Sequence, residues 1–168
     1  INNVSQFQAL KIKNSKIIEK INYDQAQELA AMGAKVLHPY CIIPCKLKNI
    51  PIFIKNTYDP YSKQVTHIMN YNLNKTYAVT DQNNITVFNI ESINMWNNYG
   101  FVYDIFKKFS KYSIDVNIIT TSQFIISTTT DCSNKELLKN VFNELSEIYK
   151  VEIIYNCSII SIVGDSIK

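Results

Sequence analysis

The apolar positions of this chain fall on two helical faces and a set of strand-like runs, and the clearest pattern lies between Glu91 and Tyr155. Phe101, Val102, Ile105, Phe106, Phe109 and Tyr112 recur at spacings of one, three and four, while Asp104, Lys107, Lys108 and Lys111 take the opposite side of the same helix. A polar loop closing on Gly100 precedes it. Val116, Ile118, Ile119, Thr120 and Thr121 are β-branched and run into Phe124, Ile125 and Ile126, where a helix would forfeit rotamer freedom, so two strands joined by a tight turn are expected. Ser133 and Glu136 have capping-box spacing, and Leu137, Leu138, Val141, Phe142, Leu145, Ile148 and Tyr149 repeat on the helical period behind them. Lys150 to Tyr155 returns as a strand. With a strand at Ile85 to Ile90 in front, the order is β-α-β-β-α-β, which predicts an α+β ferredoxin-like unit of one antiparallel sheet covered by two helices. That fold by itself assigns no function.

Ahead of this unit the pattern is more broken. Ile1 to Lys16 has weak periodicity and no cap, and Ile17 to Tyr23 is strand-like. Asp24, with Gln27 behind it, is the expected cap of a helix over Gln25 to Met32 that Gly33 ends in the left-handed conformation. A short helix around Ile42 to Lys48 and a strand at Ile52 to Lys55 follow. Asn56, Thr57, Asp59, Pro60 and Ser62 open a connector rich in turn-forming residues. Thr76 to Asp81 reads as a strand separated by Gln82, Asn83 and Asn84 from the next, and Cys157 to Val163 as a further strand ending at Gly164 and Asp165.

Composition narrows the function. At 168 residues, 46% apolar and 18% charged, the chain can bury a core and has no disordered signature. Its net charge of +3 is modest, it contains no arginine, and its lysines are scattered, so nucleic-acid binding is not expected. Runs such as Ile50 to Ile54 are far short of the roughly 20 apolar residues that span a bilayer, and no signal segment is evident. A cytoplasmic protein without a membrane partner is expected. Cys41, Cys45, Cys132 and Cys157 form no C-x-x-C pair and neither His38 nor His67 joins them in a ligand-like repeat, so reduced thiols and no metal site are expected.

Gln27-Glu28-Leu29-Ala30-Ala31-Met32-Gly33-Ala34-Lys35-Val36-Leu37-His38-Pro39 resembles the helix and GAKVLHP signature of the aspartate kinases, and Lys16 to Ala26 resembles the segment before it. The resemblance continues at Asn49 to Ile52, Asn56 to Pro60, Ser92 to Met95, Gly100-Phe101, Val116 to Ser122 and Ile159 to Asp165, nearly the whole chain. It is most similar to the lysine-sensitive, single-function branch. The family transfers the γ-phosphoryl group of ATP to the side-chain carboxylate of aspartate, opening lysine, threonine and methionine synthesis. It joins an amino-acid-kinase domain to ACT domains, effector-binding β-α-β-β-α-β units. The resemblance therefore implies a C-terminal segment of the kinase domain over residues 1–60, a linker over 61–75, a first ACT domain over 85–156, and a partial second ACT domain from 76–84 and 157–168.

Phosphoryl transfer needs a cradle of backbone N–H groups, cations and a metal. Only Gly33, Gly100 and Gly164 are present, each alone, and the family's glycine-rich motif and aspartate-binding arginine have no counterpart. No catalytic residue is assigned, and this polypeptide alone is not expected to phosphorylate aspartate. ATP and Mg2+ would serve the full-length enzyme. By resemblance Lys35 approaches the nucleotide; read alone it is a lysine near a helix C-terminus, favourable to the dipole. Asn2 to Leu10 stands where the family has a nucleotide-binding stretch and lacks its Gly, Tyr, Asp, Pro and Arg.

The effector site is the stronger expectation. A helix N-terminus presents unpaired N–H groups to a carboxylate, so the loop ending at Gly100 is a natural receptor for an amino acid. By resemblance Met95, Asn98, Gly100, Phe101 and Val102 line one side and Asp115, Val116, Asn117, Thr121, Ser122 and Gln123 the other; the plainer reading makes Met95, Phe101 and Val102 core. Asn117 and Gln123 stand where lysine-sensitive members carry acids, which removes negative charge from the place a cation would occupy, and Asp115 offers one in return. The implied reading is the regulatory part of an aspartate kinase that binds lysine, or threonine, and pairs as a homodimer through its ACT domains. The alternative is a non-catalytic ACT protein that senses an amino acid or only dimerises, its kinase remnant having decayed.

Overall fold

The computed structural model describes residues 17–34, 36–59, 61, 63–71, 77–91 and 99–164. The elements in order are β1 (Lys20–Ile21), α1 (Tyr23–Ala31), α2 (Pro39–Leu47), β2 (Ile52–Ile54), β3 (Thr66–Ile68), β4 (Tyr77–Glu91), α3 (Phe101–Lys111), β5 (Ile119–Thr121), β6 (Ile125–Thr130), α4 (Lys135–Ser146) and β7 (Lys150–Gly164). They divide into two compact units, one of residues 1–82 with 160–168 and one of residues 83–159. The two sheets are small, ordered β1-β3-β2 and β5-β6-β4-β7.

In the first unit β3 pairs parallel to β1 and antiparallel to β2. Asn22, not Asp24, caps α1: its side chain accepts from the Gln25 N–H at 2.8 Å, and Gln25 returns the bond to the Asn22 N–H, completing a capping box. The cap falls to Asn22, whose backbone is extended, and Asp24 lies inside the first turn. Tyr23, Ala26 and Leu29 on one face of α1 pack with Ile21, Ala34, Ile42 and Ile68, with Ala78 and Val163 against the same cluster. The helix ends as expected at Gly33, φ +102°, where the Ala34 N–H reaches back to the Leu29 carbonyl at 2.9 Å. β3 runs through the stretch expected as a connector. Its Thr66 hydroxyl donates to the Ile18 carbonyl at 2.7 Å, and Ile68 is fully buried.

The second unit follows the expected β-α-β-β-α-β order. β4 and β5 are both antiparallel to β6, so they are parallel to each other, and α3 must carry the chain from the carboxyl end of β4 back to the amino end of β5. Inward-facing Phe88, Ile90 and Ile126 pack with Phe101, Ile105 and Phe109 of α3 and Leu138, Val141 and Leu145 of α4. Asn134 rather than Ser133 caps α4, accepting from the Glu136 and Leu137 N–H groups. β4 and β7 are each single fifteen-residue strands where two separate strands were expected. Contacts from Lys150 to Glu91, Glu152 to Asn89 and Ser158 to Asn83 make the pair antiparallel. Asn84 and Asn156, at nearly the same level, adopt φ +61° and +58°, so each strand absorbs a local kink and goes on pairing.

Glu144 of α4 fastens the two helices. Its carboxylate accepts from the Tyr112 hydroxyl and the Lys111 ammonium, both at 2.5 Å, with Lys108 at 3.8 Å from its other oxygen. The Lys111 and Tyr112 hydrogen bonds hold the Glu144 carboxyl below its ordinary value, and the same bonds raise Lys111 and Tyr112 above theirs. A depressed carboxyl adds stability above its unfolded-state pKa and loses it as the pH falls through the folded one. Urea midpoints should therefore drop more steeply below pH 4.5, the ordinary glutamate value, in the parent chain than in Glu144→Gln; parallel acid limbs would refute the role.

Candidate functional site

The end of the second unit that carries the α3 N-terminus is unlike any other helix start described. Asn22 and Asn134 cap α1 and α4 with side-chain oxygens, and the His38 ring nitrogen accepts from the Tyr40 N–H at the start of α2. Gly100, the N-cap of α3, offers no side chain and sits at φ +91°, and a Cβ placed on it would meet nothing within 4 Å. The N-cap position of α3 therefore supplies no side-chain acceptor to the first-turn N–H groups, which have the positive end of the helix dipole behind them. Phe101 is buried and meets Tyr149 edge-on at 5.1 Å, whereas Val102 and Tyr99 are exposed. Burial, and then the nearby Asp104 charge, push the Tyr149 hydroxyl pKa up, so it stays protonated at neutral pH.

The topology sorts the remaining residues of the expected effector set into two groups. Thr121, Ser122 and Gln123 form the end of β5 and the turn into β6, at the carboxyl end that also carries Gly100, Phe101 and Val102. Ser122 closes that turn: its hydroxyl accepts from the Ile125 N–H at 3.1 Å, and its own N–H donates to the Ile125 carbonyl at 2.8 Å. Asp115, Val116 and Asn117 lie beyond the other end of α3. The Asn117 N–H donates to the Thr129 carbonyl at 2.8 Å, three residues along β6 from the partner of Thr121, hence roughly 10 Å away. Val116 packs on the core, while Asp115 and Asn117 are exposed. Lys35, Met95 and Asn98 lie outside the described residues, as do Ile1 to Lys16, Ser92 to Met95 and Asp165.

A Cβ on Gly33 would stand 2.9 Å from the Asp81 carbonyl oxygen, so the glycine permits close packing against β4. Among the described residues no three His, Cys, Asp or Glu side chains gather to hold a metal, and no helix is long and apolar enough to cross a membrane. The sequence pattern gave no warning of two open clefts. One, about 720 Å3, is bordered by Ile17, Glu19, Lys20, Lys63, Val65 and His67; the other, about 580 Å3, by Asn89, Glu91, Ile125, Ser127, Lys150 and Glu152. The second is built mostly from alternate positions of paired strands, which in a sequence look like any solvated face, and the first mostly from residues that flank β1 and β3.

A three-stranded first unit and a two-helix, four-stranded second unit make a mixed α/β protein, and comparison with known proteins says what it is similar to. Residues 6–56 match the amino acid kinase family. Aspartokinase 3, chloroplastic, of Arabidopsis thaliana is 33% identical over 157 residues, 88% of this chain and 28% of that protein. The crystal structure of E. coli aspartokinase III in complex with aspartate and ADP, its R-state, superposes with a TM-score of 0.82 at 26% identity, covering 99% of this chain and 39% of that one. The T-state of the same enzyme, in complex with lysine and aspartate, gives 0.75 at 28% identity over 91% of this chain and 35% of that one. This chain is an aspartokinase homologue. It spans about a third of the length of the relatives it matches.

Both left-handed glycines can be tested by one substitution. Gly100→Ala should cost about 1 kcal/mol, the backbone term alone, because its Cβ meets nothing. Gly33→Ala should cost clearly more in chemical denaturation, since the new methyl also strikes the Asp81 carbonyl; equal losses would contradict the geometry.

Proposed function

We propose that the chain is the C-terminal regulatory portion of an aspartate kinase, with residues 1–60 belonging to the kinase domain and residues 85–156 forming an ACT domain that binds an amino-acid effector. In this reading the full-length enzyme, using ATP and Mg2+, phosphorylates the side-chain carboxylate of aspartate in the cytoplasm, and the present chain carries control, not catalysis. The observation that carries the proposal is the α3 N-terminus at Gly100, whose N-cap makes no side-chain hydrogen bond, at the same end of the unit as the β5–β6 turn. An amino acid's α-carboxylate is the group such a terminus lacks. The E. coli relative crystallised with lysine supports an amino-acid ligand.

A homodimer accounts for the split in the expected ligand set. β5 is an edge strand, and all three of its residues are exposed. Two copies pairing antiparallel along that edge about a twofold axis would set the Asp115 to Asn117 end of one beside the Gly100 and Ser122 end of the other. Each complete site would then draw on both copies, and an effector would favour one paired arrangement only by its difference in affinity between two states.

Charge sets the expected ligand strength. A lysine effector needs a carboxylate for its side-chain ammonium, and the neutral Asn117 and Gln123 supply none. Asn117→Asp should strengthen lysine binding by roughly tenfold, about 1.4 kcal/mol, in calorimetric titration of the purified chain. Unchanged lysine affinity in that variant would count against the site. Absence of heat with both lysine and threonine would favour the alternative of an effector-blind dimerisation module.

A further inference from the structure

The outer face of the second unit's sheet, opposite α3 and α4, carries an ordered grid of polar side chains. Inward Phe88, Ile90, Ile126, Val151 and Ile153 leave Asn89, Glu91, Ser127, Lys150 and Glu152 on the other side. The register is fixed. Asn89 stands opposite Ser127 and Glu91 opposite Ile125, while Glu152 and Lys150 reach the same two β4 residues from β7. Ser127 Oγ donates to Asn89 Oδ1 at 2.7 Å, and Asn89 Nδ2 donates to Glu152 Oε2 at 3.1 Å. Lys150 Nζ donates to Glu91 Oε2 at 2.7 Å.

The bonding capacity left over is specific. Lys150 spends one of its three N–H donors on Glu91, and among the described residues no donor meets the second oxygen of Glu91 or of Glu152. The Glu91 hydrogen bond keeps the Lys150 ammonium charged to higher pH than usual. Two unspent carboxylate oxygens thus flank an ammonium with donors to spare, over a concavity of about 580 Å3, within the range of small-molecule sites. Ile125, 41% exposed, supplies an apolar wall beside them. Lys150 between the two acids would repel a divalent cation, and the acids would repel an anion. A molecule bearing both charges close together satisfies all three.

We propose that this cleft binds a small zwitterion, an α-amino acid with an uncharged side chain, its ammonium on Glu91 and Glu152 and its carboxylate on Lys150. The site is separate from the α3 N-terminus and does not depend on the effector reading.

The test is an amide-resolved NMR titration of the full 168-residue chain with L-valine, and with isobutylamine and isovalerate as its two half-ligands. Saturable shifts at residues 89–91, 125–127 and 150–152 with Kd near 1 mM are expected, with each half-ligand weaker by roughly tenfold. Lys150→Met should weaken valine by a similar factor, as should Glu152→Gln, which keeps an acceptor for Asn89; thermal unfolding checks that both variants stay folded. Shifts that never saturate, or binding that neither variant alters, would overturn the proposal. Shifts at Phe101 to Tyr103 report the effector reading instead, so either can fail alone.

Discussion

The second unit hangs on the contact between Phe88 and Phe109, whose rings meet edge-on with centroids 5.1 Å apart, both essentially fully buried. Phe88 lies in β4, the strand flanked by β6 and β7, and Phe109 in the last turns of α3. An edge-to-face pair has directional preference beyond the area it buries, so it fixes where α3 crosses the sheet as well as holding it there. The rest follows from chain length. An eleven-residue helix is about 16 Å long, so pinning one end over Phe88 decides where the other end, at Gly100, must emerge.

Long amphipathic elements were legible in the sequence, and short or kinked ones were not. The α3 and α4 faces stand out because six or seven apolar residues share one period, and burial of Phe101, Ile105, Phe109, Leu138, Val141 and Leu145 matches them. Caps were misplaced by one or two residues, at Asn22 for Asp24 and Asn134 for Ser133, because each pair offers two competent oxygens and the choice depends on which backbone is extended. Gln82-Asn83-Asn84 and the Asn156 region read as breaks, since asparagine is a turn former. Here it takes the left-handed conformation inside the ladder, and cross-strand bonds such as Ser158 to Asn83 keep the strands paired. β3 was hidden by its neighbours: three residues, Thr66-His67-Ile68, carry too little alternation to outweigh the turn formers before them.

Site residues divided along the same line. Gly100 stands before an apolar helical period in the sequence, and the structure puts it at the α3 N-cap with φ +91°. Sequence spacing could not show that Asp115 to Asn117 and Thr121 to Gln123 occupy opposite ends of β5, because that depends on the direction in which α3 returns the chain. The Glu91, Asn89, Glu152 and Lys150 grid was invisible for a related reason. Its members lie about sixty residues apart in the chain and meet only through the β4–β7 register.

α3 is asymmetric in how its two ends are held. Its C-terminal end is tied down by Glu144 through Lys111 and Tyr112 and covered by the buried Ile114. Its N-terminal end lacks the side-chain oxygen that elsewhere is worth about 1 kcal/mol, and leans on Phe101 and its contact with Tyr149. A carboxylate arriving at Gly100 would supply what the sequence withholds. Its binding and the ordering of the first turn of α3 would then be one equilibrium, so whatever stabilises that turn also tightens the ligand, and the ligand in turn stabilises the helix. A helix already capped by its own Asn or Asp could not be coupled in this way, which gives a physical reason for glycine at this position, independent of any need for space.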